Sequence, residues 1–304
     1  MLDFLKVFYE SINSGDWYWD IVAVDLVAIV ALLIIFKVTL GVYSGLNVRH
    51  EISEKDNSAF GVVLGFMFFS FLLVMSAAST GSEILGYFDE FLNMFVFGLS
   101  GMIMLFLSRV VFDKLSMTSF SITDELKKGN MAVAIVSSGN ILSSALIIYA
   151  YMGWVKGTSF DIIALVAIGW IISQVLLSAI TFVRAKMYKS YDGETLIDSI
   201  KSGNMATAFR FSSYRLAFAM TPMLVVPHYK FDAEDAYYQV AEIFATSLVF
   251  YMIFMIVSLI STKIVFPKVD FKNEINRQKN VGVAVIQSLI LLGYAILLYG
   301  ILKP

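Results

Sequence analysis

Eight long apolar stretches alternate with short polar connections along the chain. They fall near residues 19–44, 58–79, 90–109, 131–152, 160–184, 205–226, 237–263 and 281–302. Each is close to or above the roughly 20 residues that a helix needs to cross a bilayer. Hydrophobic residues make up 59% of the chain and charged residues 15%, which is far from the balance of a soluble domain. The pattern predicts an all-α, polytopic transmembrane bundle of eight helices.

An internal repeat organises these stretches. An asparagine opens every second one, at Asn57, Asn130, Asn204 and Asn280, so consecutive copies are 73, 74 and 76 residues apart. Small residues follow each asparagine two, four and eight positions later. Asparagine is a favourable helix N-cap, and small residues four apart let two helices approach closely in lipid. We therefore predict four two-helix repeats that all run in the same orientation.

The basic residues predict which side of the membrane each connection occupies. The first, third, fifth and seventh connections, with their helix ends, hold three, four, four and five lysines or arginines. The opposite side holds only Lys6, Lys156, Lys230 and Lys303. The positive-inside rule then places the basic connections in the cytoplasm and both termini on the non-cytoplasmic side. Residues 1–16 carry an apolar helical face and are predicted to lie along the membrane surface.

Two arginines in the third repeat break the pattern, because the other repeats have apolar residues at the same positions. Arg210 lies near a helix end, whereas Arg215 lies about 16 Å along the helix, close to the membrane midplane. A charge at that depth is expensive and is expected to have a partner. Asp25 and Glu242, in the first and seventh apolar stretches, are the candidate carboxylates.

The other polar residues within the apolar stretches fall into three predicted layers. Arg210, Gln174 and Gln287 form an inner layer, Arg215 and Asn140 a middle one, and Asp25, Asp89, Asn93 and Glu242 an outer one. If these side chains face one cavity, they form a polar pathway across the membrane. In the alternative, each is a local polar contact between helices, and Arg215 belongs to one buried ion pair.

Several kinds of chemistry find no support in the sequence. Cysteine is absent, and the only two histidines, His50 and His228, fall in connections on opposite sides of the membrane. We therefore predict no metal site and no cofactor. The net charge of −2 gives no basic field for nucleic acid. All connections are short, so an enzyme is not expected.

The repeat motif resembles the YjfL-like bacterial inner-membrane family, a domain of unknown function (number three-fifty). The best-matching phrases are Lys263-Ile-Val-Phe-Pro with Asn280-Val-Gly-Val-Ala284, and Arg109-Val-Val-Phe with Asn130-Met-Ala-Val-Ala134. Units of that family have four crossings, so the resemblance implies two tandem units, residues 17–153 and 157–304. It also implies a location in the bacterial plasma membrane, and it brings no catalytic residues.

Two functions are consistent with this reading. The first is a transporter or channel for a small solute or ion, with Arg215 near the membrane midplane. The alternative is a non-transporting membrane scaffold whose basic cytoplasmic loops dock a soluble partner or anionic lipid. Membrane lipid is the expected surrounding partner in both, and assembly into a homo-oligomer is compatible with either.

Overall fold

A computed structural model describes residues 17–44, 47–80, 86–155, 160–188 and 193–302. The predicted interfacial segment, residues 1–16, lies outside these ranges. The described residues are helical, with no strand. The eight long helices are α1 (Trp17–Ser44), α2 (Ser58–Thr80), α3 (Tyr87–Val111), α5 (Met131–Trp154), α6 (Phe160–Met187), α8 (Met205–Val225), α9 (Ala236–Val265) and α11 (Val281–Leu302).

Seven of the eight long helices are long and apolar enough to cross a membrane, as in a multi-pass membrane protein. The exception is α8, which is not among those seven although it has 21 residues. It carries Arg210, Arg215 and five hydroxyl-bearing side chains. Helices α5, α6, α9 and α11 all pack against α8, so neighbouring helices rather than lipid surround most of its polar side chains.

Short helices occupy three of the connections between the long ones. They are α4 (Ile122–Lys127), α7 (Leu196–Lys201) and α10 (Phe271–Asn276), and a π-helical turn, His50–Glu54, takes the same place in the first repeat. Each short helix begins at a side-chain cap, provided by Ser121, Thr195 and Asp270. These caps satisfy amide groups that have no partner within so short a helix.

The long helices form two rows. We call α1, α3, α6 and α9, the first helix of each repeat, the leading helices, and α2, α5, α8 and α11 the trailing helices. The trailing helices pack side by side in chain order, and so do the leading helices. Each repeat therefore contributes one helix to each row, and α5 and α8 lie in the middle of the trailing row.

Close approach of two backbones holds the centre of the trailing row together. A Cβ atom added at Gly139 of α5 would lie 2.6 Å from Ser212 Cβ of α8 and 3.3 Å from its Cα. Ser212 Oγ also donates a hydrogen bond to the Ile135 carbonyl at 3.1 Å. Ser212 is one of the small residues that the repeat motif places eight positions after its asparagine. Small side chains at this point let α5 and α8 pack tightly.

Candidate functional site: a buried arginine and a basic cleft

Arg215 lies in the middle of the bundle and is 1% exposed. Its Nη1 donates to the Leu177 carbonyl at 2.9 Å and to Thr181 Oγ1 at 2.7 Å, both on α6. Its Nη2 donates to Asn140 Oδ1 on α5. The guanidinium also lies 4.9 Å from the ring centroid of Phe112. Neutral oxygens and an aromatic face therefore surround this cation, and it ties α8 to α5 and α6.

The contacts of Arg215 extend into a chain of hydrogen bonds between helices. Asn140 Nδ2 donates to the Ser108 carbonyl on α3 at 3.4 Å. Trp170 Nε1 on α6 donates to Ser108 Oγ at 2.7 Å. Arg215 Nε, by contrast, has no hydrogen-bond partner. The network links α3, α5, α6 and α8 through side chains that are all buried.

The structure gives Arg215 neutral partners in place of the carboxylate expected at Asp25 or Glu242. Asp25 of α1 is buried and accepts a hydrogen bond at 2.8 Å from the hydroxyl of Ser79, near the end of α2. Glu242 is exposed on α9. Among the described residues, neither forms an ion pair with Arg215. A cation can be held this way because three oriented dipoles replace its hydration shell.

The remaining predicted polar residues do not join this network. Gln174 donates to Ser144 Oγ at 3.2 Å, which links α6 to α5. Gln287 is 6% exposed, and its Oε1 has no hydrogen-bond partner. Within the part of the chain that the structure describes, Arg215 and Asn140 are the pair of predicted layer residues that form a direct hydrogen bond. This arrangement favours local polar contacts between helices.

Arg210 instead lines an open cleft between α6, α8 and α9. The cleft has a volume of about 800 Å³. Its cations are Arg184, Arg210, Lys263 and Lys272, and none of the described residues that line it carries a carboxylate. Its walls are mainly apolar side chains of α6 and α9, such as Ile180 and Met252. The cleft therefore combines a cationic end with a hydrophobic wall.

Two of the cleft cations share one tyrosine. The Arg184 guanidinium lies 3.6 Å from the ring centroid of Tyr214. The positive charges of Arg184 and Arg210 both lie close to the Tyr214 hydroxyl. Arg210 Nε has no hydrogen-bond partner. Two guanidinium groups held near each other, with no carboxylate in the described part of the cleft, create a positive potential. An anion in the cleft would relieve their repulsion.

Sequence reasoning identified Arg210 but missed the rest of the cleft. Arg184 and Lys263 each lie near the end of a leading helix, which suits a headgroup region and does not by itself predict a cleft. Tyr214 and Tyr251 gave no signal, since aromatic residues are common throughout the apolar stretches. The one available indication is that Arg184 and Lys263 lie at similar positions, near the ends of successive leading helices.

The four repeat asparagines have a second role besides capping. In each, Oδ1 accepts from the amide three residues later, which is N-cap geometry. The Nδ2 group then donates to a side chain of its own repeat: Glu51, Glu125, Ser199 or Glu274. In the second repeat, hydrogen bonds from Lys128 and Asn130 lower the pKa of Glu125 below its ordinary value.

Three of these asparagines also bond to the next repeat. Asn57 donates to the Leu126 carbonyl at 2.8 Å, Asn130 to the Lys201 carbonyl at 2.8 Å and Asn204 to the Ile275 carbonyl at 3.4 Å. The acceptors lie in the short helices α4, α7 and α10. Each repeat is thereby tied to its successor through one amide group.

We expect Asn130→Ser to destabilise the bundle more than Asn280→Ser. Serine preserves the N-cap acceptor, but it is too short to reach either other acceptor. Asn130 loses a bond to Lys201 of the next repeat in addition to its bond to Glu125, whereas Asn280 loses only its bond to Glu274. The difference should be about 1 kcal/mol, measured as unfolding of the purified protein in detergent. Equal losses for the two variants would argue against the tie between repeats.

Comparison with known proteins identifies one family. The model of a family described as Domain of Unknown Function (DUF350) matches residues 11–152 and, a second time, residues 158–302. No curated protein and no solved structure matches the chain significantly.

Proposed function

Since this chain belongs to the DUF350 family and holds two tandem copies of its domain, and since the family description carries no activity, we propose a function from the cleft. The protein binds an anionic phospholipid there and serves as a non-transporting scaffold in the bacterial inner membrane. The observation that carries this proposal is the combination, in one open cleft, of four cations, an apolar wall and no carboxylate among the lining residues that the structure describes.

The chemistry of the cleft matches the two parts of an anionic lipid. A phosphate accepts charge-assisted hydrogen bonds from guanidinium groups, which Arg184 and Arg210 can supply. Lys263 and Lys272 lie at the end of the cleft near α10 and add positive charge. The acyl chains would lie along the apolar side chains of α6 and α9. Basic pockets between transmembrane helices bind acidic headgroups in this way.

The predicted orientation agrees with this ligand. Lys263 ends α9 and Lys272 lies in α10, which belong to a connection predicted to be cytoplasmic from its basic residues. The cytoplasmic leaflet is rich in anionic lipid. In this role Arg215 fixes the packing of α8 and needs no water-filled route.

Lipid binding can be tested with a matched pair of lysine variants. We expect purified protein in nanodiscs to retain phosphatidylglycerol in preference to phosphatidylcholine, and Lys263→Gln to weaken that preference. Lys186 also lies on α6, but its side chain does not line the cleft. Lys186→Gln should therefore leave the lipid preference unchanged. Arg184→Gln/Arg210→Gln should abolish it. The measurement is native mass spectrometry of bound lipid.

Three outcomes would contradict lipid binding. One is equal retention of the two lipids by the unmodified protein. Another is an equal effect of Lys263→Gln and Lys186→Gln on lipid retention, which would indicate that the general surface charge of the protein, rather than the cleft, attracts the lipid. The third is displacement of the bound lipid by inorganic phosphate alone, which would indicate a site for a free anion.

Transport of a small anion is the second candidate, and one observation favours it. Phe211 lines the cleft, and its ring centroid lies 5.8 Å from the Arg215 guanidinium, so one side chain separates the cleft from the buried cation. If Phe211 moves to open a route, chloride should leave proteoliposomes faster than empty vesicles, and Arg215→Met should abolish the difference. Chloride efflux equal to that of empty vesicles would exclude this transport activity.

A further inference from the structure

One interface between trailing helices occurs three times in the chain. The face that each trailing helix turns toward the preceding one consists of the residues 4, 8, 11 and 15 positions after the repeat asparagine, and we call it the head face. Ser212 bonds to Ile135 of α5, and Leu291 and Ala295 pack with Ala217 of α8. In repeats two to four every head-face residue is at most 6% exposed.

The opposite face of each trailing helix contacts the helix that follows. It includes the residues 2, 13 and 20 positions after the asparagine, and we call it the tail face. In the first three repeats all of these residues are at most 5% exposed. Helices α2 and α5, α5 and α8, and α8 and α11 pack against each other, and the head and tail positions that lie between them are buried in all three pairs.

The two ends of the trailing row leave one face of each kind uncovered. On α2 the head face is partly open: Gly65 is exposed, with no atom within 4 Å of an added Cβ, and Leu72 is 43% exposed, while Gly61 and Phe68 are half-buried. On α11 the tail face is open: its residues are Gly282, Gly293 and Gly300, and all three are exposed. The same positions are buried wherever a neighbouring repeat exists.

The asparagine ties end at the same two places. Asn280 bonds to Glu274 and caps α11, and among the described residues it donates no bond to a backbone carbonyl. At the other end of the row, Ile52 is the position equivalent to the acceptor Leu126, because each directly follows the glutamate of its repeat. None of the four repeat asparagines donates to Ile52. The Asn280 amide and the Ile52 carbonyl thus lie at the two ends of the row, at the positions that bond to each other between repeats inside it.

We propose that a second copy of this chain continues the row, with the tail face of α11 against the head face of α2 in the next copy. Glycines occupy both faces, at Gly65 and at Gly293, and the missing side chain of Gly65 leaves room for Leu289, which takes the position of Gly139 on α11. The Asn280 amide then donates to the backbone near Ile52 of that copy, a bond that lipid tails cannot form. The contact is heterologous, so it generates a ring or an open row rather than a two-fold dimer.

Disulfide crosslinking tests the register of this contact, because the chain has no native cysteine. Leu289 and Gly65 are the positions equivalent to Gly139 and Ser212, which touch within the chain. Leu289→Cys and Gly65→Cys, co-expressed on separate chains, should form a crosslinked dimer in native membranes after oxidation. Each variant alone should remain monomeric on a non-reducing gel. Ile171→Cys, exposed on α6, replaces Leu289→Cys as the control and should give no dimer.

A second measurement does not depend on disulfide geometry. Gly65→Phe should shift the particle mass in nanodiscs from oligomer to monomer, while the open space around Gly65 lets each chain fold. Gly153→Phe, at another exposed glycine with open space, should keep the oligomer. Crosslinking of either cysteine variant with itself would overturn the proposal, because it indicates a two-fold contact. A monomeric unmodified protein, or no dimer from the co-expressed pair, would overturn it as well.

Discussion

Replacing Asn140 with leucine should destabilise the protein by about 3 kcal/mol, because it leaves the buried Arg215 guanidinium one acceptor short. Asn140 supplies the acceptor on α5, while the other two acceptors lie on α6. Water cannot replace Asn140 at a site that is 1% exposed. The measurement is reversible unfolding in mixed detergent micelles, with folding of each variant checked by circular dichroism.

Removing the charge of Arg215 as well should restore part of the stability that Asn140→Leu loses. Arg215→Met keeps an apolar side chain of similar length, so the double variant Asn140→Leu/Arg215→Met should be more stable than Asn140→Leu alone. Such coupling is diagnostic of a direct interaction. Asp25→Asn serves as the control and should be additive with Arg215→Met. Coupling of Arg215 to Asp25, with none to Asn140, would contradict the observed network.

Replacing Gly139 with alanine should cost about 1–3 kcal/mol, since the added methyl group overlaps Ser212 and forces α5 and α8 apart. The nearest atoms include Ser212 Cβ at 2.6 Å and its backbone Cα at 3.3 Å, so rotation of the side chain cannot remove the overlap. The separation would also break the bond from Ser212 to the Ile135 carbonyl. Thermal unfolding in detergent measures the loss.

Gly153→Ala is the matched control in the same helix. Gly153 is exposed, with no atom within 4 Å of an added Cβ, so alanine there should be neutral or slightly stabilising, as its higher helix propensity favours. A Gly139→Ala variant as stable as Gly153→Ala would mean that the two backbones are not in close contact.

Much of the helical architecture was accessible from the sequence. Long apolar stretches have few alternatives in lipid, since every backbone amide must be satisfied within its own helix. The repeat asparagines marked the first turns of α2, α5, α8 and α11 because capping depends on residues only three positions apart. The family match to two tandem segments confirms the resemblance that the same motif suggested.

The contacts of the candidate site were less accessible. The charge of Arg215 predicted a partner, and charge alone pointed to Asp25 and Glu242. The actual acceptors are the Thr181 hydroxyl, the Asn140 amide and a backbone carbonyl, which carry no net charge and leave no distinctive pattern. The cleft was equally hidden, because an apolar residue that lines a cleft and one that faces lipid look alike in sequence.

The sequence by itself determined the helices, their capped ends, the repeat and the distribution of basic residues, since each depends on neighbours along the chain and on the transfer of apolar groups from water. The tertiary structure alone decided which polar groups meet and which faces remain open. Those outcomes depend on the order in which helices pack, and packing brings Arg215 to Asn140 across 75 residues. It also covers the head and tail faces of every trailing helix except at α2 and α11, because only there does the row of repeats end.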